Sequence, residues 1–561
     1  MTGDSQFRAM SVQSRASLIG GWAAVLIGLV VYAVGIGSHH QPTNPDELLY
    51  VQITRATAAS GHLLPLQSMS DDVRNTKPPL LFWQGIFATD WGREWSLLRV
   101  RLPSFFYTMA TAALLVLVGL RRLRSLRIGL WAAAFFLCFF STFRYGRVLM
   151  TISPETFWLS LPLGLLLVRD KPVLPDGLLW PCLLGALVGI ALLYWSFALV
   201  VPVVLTIALW ALISRGWQWK EFFFRDAWRI ALLAAVALLV FGLWFALDPH
   251  PAQVFSDFVL RENAGKFQTG TGNALWNYIE NALCGHWNIW TIVFGYPYHA
   301  GLLAPAFVAL VAVSWVRRKQ LDPFEVSLWV WLMVLVVFFC IPNQRYEHYV
   351  VPAMPALALL LAIRFDSLPR WILLVSLAAS AVVAAGLAGL GIILQHRVGE
   401  GPLYPYWALL FPLLAIAVCA AGFFSARLTR PALAPAILLT YLCYPVFLLP
   451  LDRGRGVFGP EAIRAVAGKD VYIPADFKPR EETYTFLIPG ANMKPYKNVK
   501  RPPAKPFVIV SLPLGQSPLD GAVLGRRLNM VERFGSAEIS DILRGNISDN
   551  LFRWEWLVQR P

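Results

Sequence analysis

The chain has 561 residues, of which 57% are hydrophobic and only 14% charged, which is too apolar for a soluble protein of this length. A net charge of +15 would suggest nucleic acid in a soluble chain, but here the basic residues recur in short clusters between apolar runs, the pattern that orients membrane segments. The six cysteines fall almost entirely within apolar runs and form no CxxC pair, so neither a disulfide framework nor a thiolate zinc site is indicated.

Arg8 and Arg15 precede an apolar run from Leu18 to Gly37 that is long enough to span and has no small-residue cleavage site, which predicts an uncleaved first helix. Further spans are expected near 103–120, 128–143, 155–168, 177–194, 197–213, 230–247, 299–316, 325–341, 350–364, 370–394, 407–425 and 432–450, about 13 in all. With the N-terminus in the cytoplasm, the even-numbered spans lead into basic connections. These are Arg121–Arg127, Arg169 and Lys171, Arg215–Arg229, Arg317–Lys319, Arg364 and Arg370, and Arg427 and Arg430. A miscounted helix would move the later clusters to the wrong side. The opposite face receives the loop 39–102, the turn 144–154, the loop 248–298, Asn343–Tyr349, 395–406 and everything after Asp452. A reaction on that face could not draw on cytoplasmic nucleotide-sugar or ATP, so an activated donor would have to arrive on a lipid; no Walker loop or dinucleotide fingerprint occurs, as that location would lead one to expect.

The first loop carries Asp46 and Glu47, then Tyr50, Ile53 and Arg55 on a short interfacial helix, then Lys77-Pro78-Pro79. Carboxylates accept protons or hold metals and cations bind phosphate, so the loop has the parts for moving a group off a phosphorylated carrier; the alternative is a solvated connector. Adjacent helical residues point about 100° apart, so one of the two acids faces a given site; Asp46 is the choice and Glu47 the reserve. The two prolines stiffen the backbone behind Lys77. The turn at 144–154 adds Arg144, Arg147 and Glu155, the last equally explained as a helix N-terminal carboxylate. Arg147 in that turn, and Arg261, Asn263 and Lys266 ahead of a Thr/Gly stretch with Gly270 and Gly272 that is expected to order on a ligand, are the expected loop contacts to substrate. His286 is a candidate ligand for a divalent metal, unsupported by a paired histidine. Arg345 could hold a phosphate, with Glu347 beside it.

Residues 1–451 thus read as a transmembrane domain and 452–561 as a small extracytoplasmic α/β domain. Strands are expected at 471–473 and 506–514 and a short helix at 536–544. Lys494, Lys497, Lys500, Arg501 and Lys505 would lie on anionic membrane lipids, at about 1 kcal/mol each, or form a solvated loop.

Taken in order, Asp-Glu with Ile-Thr-Arg downstream, Lys-Pro-Pro-Leu-Leu-Phe-Trp, Leu-Arg-Val-Arg-Leu-Pro-Ser, Arg-Glu-Asn-x-Gly-Lys-Phe and Arg-Tyr-x-x-Tyr-x-x-Pro-x-x-Pro resemble the bacterial branch of the GT-C membrane glycosyltransferases. That branch includes the 4-amino-4-deoxy-L-arabinose lipid A transferases and the group related to protein O-mannosyltransferases (glycosyltransferase families 39 and 83). The resemblance covers residues 18 to about 360 and implies that Asp46 is the essential first-loop aspartate, Lys77 the donor-phosphate lysine, Arg55 a supporting cation and Tyr349 a neighbour of the lipid phosphate. Thr76 stands where relatives often have Glu, and Ile152-Ser153-Pro154-Glu155 where many have Asp, which weakens a carboxylate-bound metal and leaves Glu155 as the substitute. The expectation is an inverting transferase of the bacterial inner membrane, with a periplasmic C-terminal domain, that moves a sugar from undecaprenyl phosphate to lipid A or a related glycolipid, with no nucleic acid partner. The alternatives are the same chemistry on protein or polysaccharide, an inactive binding homologue, or a flippase. A flippase would place ionisable groups near the bilayer midplane, which these segments largely lack.

Overall fold

The computed structural model describes residues 3–40, 45–69, 74–267, 274–475, 480–497, 502–531, 540–541, 544–545 and 550–561. Each of the expected apolar segments coincides with a helix. Among the described residues, eight helices are long and apolar enough to cross a membrane: Leu97–Arg122, Phe197–Ser214, Trp219–Leu247, Gly295–Val316, Glu347–Ser367, Arg370–Val398, Tyr406–Phe424 and Thr429–Phe447. Shorter apolar helices occupy Ser17–Ala33, Leu126–Cys138, Ile152–Leu167, Leu179–Leu192 and Pro323–Phe339. The protein is a polytopic α-helical membrane protein.

Local chemistry sets many of the helix ends. Ser96 and Ser125 accept from the amides of Arg99 and Ile128 as N-caps, and Asp322 with Glu325 forms a capping box. Leu97–Arg122 and Leu126–Cys138 cross at Gly119 and Gly129, where a Cβ on Gly119 would come within 2.4 Å of the Gly129 Cα. Small residues are what permit such an approach between membrane helices. The best buried spans are Glu347–Ser367 and Thr429–Phe447.

After Leu449–Asp452 the chain builds a five-stranded mixed sheet from β1 (Asp470–Pro474), β2 (Asn492–Tyr496), β3 (Phe507–Pro513), β4 (Ala522–Met530) and β5 (Phe552–Gln559), in the order β2-β1-β3-β5-β4. β1 runs parallel to β2 and β3, whereas β5 is antiparallel to both β3 and β4. Lys494 lies on edge strand β2, 4.0 Å from Asp470, and Lys505 sits over the Tyr472 ring. Lys500, Arg501 and most of the helix expected at 536–544 lie outside the described residues. Leu528, Phe552 and Trp554 pack the sheet onto Leu394, Val398, Phe447, Leu448 and Leu451 at the ends of two spanning helices.

Candidate active site

Two segments far apart in sequence are fastened together first. Asn75, just before Lys77, donates from Nδ2 to Asp257 Oδ2 at 3.1 Å, and the Leu80 amide reaches the Leu193 carbonyl at 3.4 Å. Pro78 and Pro79 are buried, so the lysine projects from an anchored, proline-stiffened base. Across from it, Phe255–Asn263 is a π-helical stretch, a geometry often found at functional sites. Its last residue, Asn263, is buried, with Ser196 Oγ donating to its Oδ1 at 2.7 Å and its Nδ2 donating to the Phe258 carbonyl at 2.7 Å.

This geometry brings Glu262 between two ammonium groups. Glu262 Oε1 accepts from Lys77 Nζ at 3.1 Å and lies 3.2 Å from Lys266 Nζ, one helical turn along. Lys266 also sits over the Trp195 ring, 5.8 Å from its centroid, and Tyr349 packs on the same ring at 5.0 Å. Asp46 lies in the first turn of Pro45–Ala59, exposed at the edge of this group and within reach of the charges of Lys77 and Glu262. Desolvation raises its carboxyl above the ordinary range, with Lys77 opposing and Glu262 adding to the shift. Burial alone would raise Glu262 too, but the two lysines and their hydrogen bonds hold it below its usual value. Burial pushes the Lys266 ammonium down to about 8, and Lys77 contributes in the same direction. Glu155 is buried in the first turn of Ile152–Leu167, within reach of the Lys77 charge.

Other expected residues are engaged elsewhere. Glu47 and Arg101 are both buried and pair in bidentate fashion, Nε to Oε1 at 2.7 Å and Nη2 to Oε2 at 2.9 Å. The Leu149 amide adds a third bond to Glu47 at 3.0 Å. With its lone pairs so occupied, Glu47 is a structural carboxylate rather than a reserve base. Removing one partner of such a pair leaves an uncompensated buried charge, so Glu47→Ala should lower stability by about 3–5 kcal/mol, read as a fall in the thermal unfolding midpoint of the purified protein. Arg55 leaves the site altogether and pairs with Glu482 of the C-terminal domain, with Nη2 2.5 Å from Oε1. Arg147, expected to touch substrate, is buried instead, donating to Val31 and Val34 carbonyls over the Phe143 ring. Arg261 is exposed, 3.4 Å from Asp257. Arg345 is fully buried; its Nε and Nη1 bind the carbonyls of Cys340 and Trp287, while Nη2 is buried with no hydrogen-bond partner among the described residues. His286 packs edge-on against Trp287, and among the described residues no group of three His, Cys, Asp or Glu could hold a metal. Gly270 and Gly272 lie outside the described residues. Glu262 is the residue sequence reasoning missed; its spacing of four from Lys266 on a helical segment was the available signal.

The chain is a bundle of membrane helices capped by a small sheet domain, with acid and base groups gathered together. Comparison with known proteins narrows it. The sequence profile described as Dolichyl-phosphate-mannose-protein mannosyltransferase matches residues 43–253. The chain is 27% identical over 390 residues to an undecaprenyl phosphate-alpha-4-amino-4-deoxy-L-arabinose arabinosyl transferase of Sodalis glossinidius, and 26% identical over 381 residues to its counterpart in Pectobacterium carotovorum. In both cases the match takes in 64% of this chain and 63% of the relative's length. The crystal structure of ArnT from Cupriavidus metallidurans bound to undecaprenyl phosphate superposes with a TM-score of 0.59 at 17% identity, covering 87% of this chain and 92% of that one. The apo form of the same protein superposes with a TM-score of 0.58. The chain has the GT-C fold of the ArnT type.

Proposed function

We propose that the chain is an inverting glycosyltransferase that takes a sugar from a polyprenyl phosphate and passes it to a glycolipid acceptor, lipid A or a relative, at the periplasmic face of the bacterial inner membrane. The observation that carries this reading is the carboxylate of Glu262 held by both Lys77 and Lys266 beside Asp46. Two ammonium groups on one carboxylate oxygen form a ready seat for a phosphate, which offers the same oxygens with more charge. On donor binding the phosphate displaces Glu262 from between the lysines. Asp46 then orients and deprotonates the acceptor hydroxyl, which attacks the anomeric carbon as its bond to the phosphate oxygen breaks. Lys77 and Lys266 stabilise the charge left on the departing polyprenyl phosphate, the preorganised stabilisation that often dominates catalysis. The unpartnered Nη2 of Arg345 is a further cation for that phosphate. Tyr349 and Trp195 wall the seat. The basic connections on the opposite face support the proposed orientation, with the N-terminus cytoplasmic.

The site's titrations give a pH dependence. Lys266 must be protonated to bind the donor, so kcat/KM should fall as pH rises through about 8, the free-protein value. Asp46 must be ionised, so the acidic limb should lie above the ordinary aspartate range. Lys266→Arg should carry the alkaline limb upward because a guanidinium stays charged there. An unchanged alkaline limb in Lys266→Arg would remove this lysine from donor binding. The function itself is tested by mass spectrometry of envelope glycolipids from matched cells with and without the chain. A sugar-sized mass added only when the chain is present is the expected result; identical glycolipids would refute a glycolipid acceptor.

A further inference from the structure

The short helix Glu481–Leu487 joins the C-terminal sheet domain to the first-loop helix Pro45–Ala59. Its Tyr484 and Leu487 belong to the domain's apolar core with Val471, Ile473, Ile509 and Leu557, and the Tyr484 hydroxyl donates to Glu555 Oε1 at 2.9 Å. Glu482 and Phe486, four residues apart and so on one face, turn the other way. Glu482 is fully buried, and Arg55 donates to it from Nε, at 3.2 Å to Oε1 and 3.0 Å to Oε2, and from Nη2 at 2.5 Å to Oε1. Phe486 stacks on Trp95, with centroids 5.7 Å apart and planes 6° from parallel, and packs on the apolar cluster that contains Tyr50, Val51 and Ile53.

What these contacts hold is the helix that bears Asp46. Asp46 and Arg55 are nine residues apart, so they point to opposite sides of that helix and lie about 13 Å apart along its axis. Near Asp46 the Glu47–Arg101 pair pins the first turn to the spanning helix Leu97–Arg122. A helix pinned at one end can still pivot. Arg55 and Glu482 fix the other end, and with it the direction in which Asp46 points. The domain is itself a firm support, since Leu528, Phe552 and Trp554 pack it onto the ends of two spanning helices. Lys77 has separate anchors, in the Asn75–Asp257 bond and the Leu80 amide, so the donor seat does not depend on this contact.

We propose that Glu482 and Phe486 are positioning residues of the transfer reaction: through Arg55 and the apolar face of Pro45–Ala59, the C-terminal domain sets the direction of Asp46 from outside the donor seat. Their part in the reaction rests on the transferase reading; their hold on the helix does not. Glu482→Gln separates orientation from stability. The amide keeps the shape and leaves no charge buried, while Arg55, whose side chain is 35% exposed, turns to water.

The test compares the full-length wild type and variants in nanodiscs for transfer rate, undecaprenyl phosphate affinity and amide hydrogen exchange. Glu482→Gln should lose about 10- to 100-fold in kcat, the scale of a misplacement of about 1 Å, while its undecaprenyl phosphate affinity stays within about twofold of wild type. Amides of Pro45–Ala59 should exchange faster in the variant and those of Glu347–Ser367 should not. Phe486→Ala, which leaves every charge in place, should do the same and decides the matter if Glu482→Gln protein does not accumulate. Wild-type kcat in the variant, or slower transfer without faster exchange in Pro45–Ala59, would overturn the proposal. So would loss of undecaprenyl phosphate affinity in step with kcat, or faster exchange in Glu347–Ser367 as well, either of which makes the contact merely structural. Faster exchange confined to Pro45–Ala59, in a chain whose wild type transfers no sugar, would leave the hold on the helix standing and remove the transferase reading instead.

Discussion

Lys77→Ala protein should accumulate in membranes at the wild-type level while transferring sugar at least about 100-fold more slowly, the scale of losing one preorganised donor to a developing oxyanion. The backbone at Lys77 is held by buried Pro78 and Pro79 and by the Asn75–Asp257 bond rather than by the ammonium, so the segment should keep its place without the side chain. Its loss leaves Glu262 with Lys266 still 3.2 Å away, so that carboxylate keeps a cation. The defect should appear in donor use, because the phosphate would then meet one cation and one anion instead of two cations. Normal transfer by abundant Lys77→Ala protein, measured with saturating acceptor, would rule the role out.

Asp46→Asn should be equally severe, about 100- to 10,000-fold in kcat if the carboxylate is the base. The substitution keeps the shape and removes the charge at the first turn of Pro45–Ala59, where an acid contributes only about 0.3–1 kcal/mol to the helix. Donor binding should survive, and even tighten, because a negative charge near the Lys77 seat has gone. That split separates the two residues: Lys77→Ala weakens donor affinity, whereas Asp46→Asn spares affinity and stops turnover. Pre-steady-state transfer in Asp46→Asn at the wild-type rate would show that another group, with Glu155 the nearest candidate, accepts the proton.

The membrane helices were legible because length and hydropathy are local properties, and each expected segment coincides with a helix. Asp46 and Lys77 stood out as charges beside an apolar run. What escaped was pairing across long separations. Glu47 is removed from chemistry by Arg101, and Arg55 by Glu482 in the distant sheet domain, and nothing near either residue in sequence reveals its partner. Arg147 looked like a loop cation because the turn at 144–154 is short and polar, yet it is buried against carbonyls of the first helix. Trp195 and Ser196, in the short connection between two expected spans, also shape the site, one beneath Lys266 and the other bound to Asn263. β4 and β5 went unread: β4 carries Gly525 and two adjacent arginines that break its alternation, whereas Phe552-Arg553-Trp554-Glu555-Trp556 in β5 alternates apolar and polar and was an available signal. The Arg527–Glu555 pair between them again joins residues far apart in sequence.

The most direct measurement reconstitutes the purified chain in proteoliposomes with undecaprenyl phosphate-linked aminoarabinose and a phosphorylated glycolipid, and quantifies both products. Wild type should release one undecaprenyl phosphate for each sugar added to the glycolipid, and Asp46→Asn should release none. Movement of intact lipid-linked sugar to the opposite leaflet, with no phosphate released and no glycolipid modified, would contradict the transferase and make the chain a carrier instead.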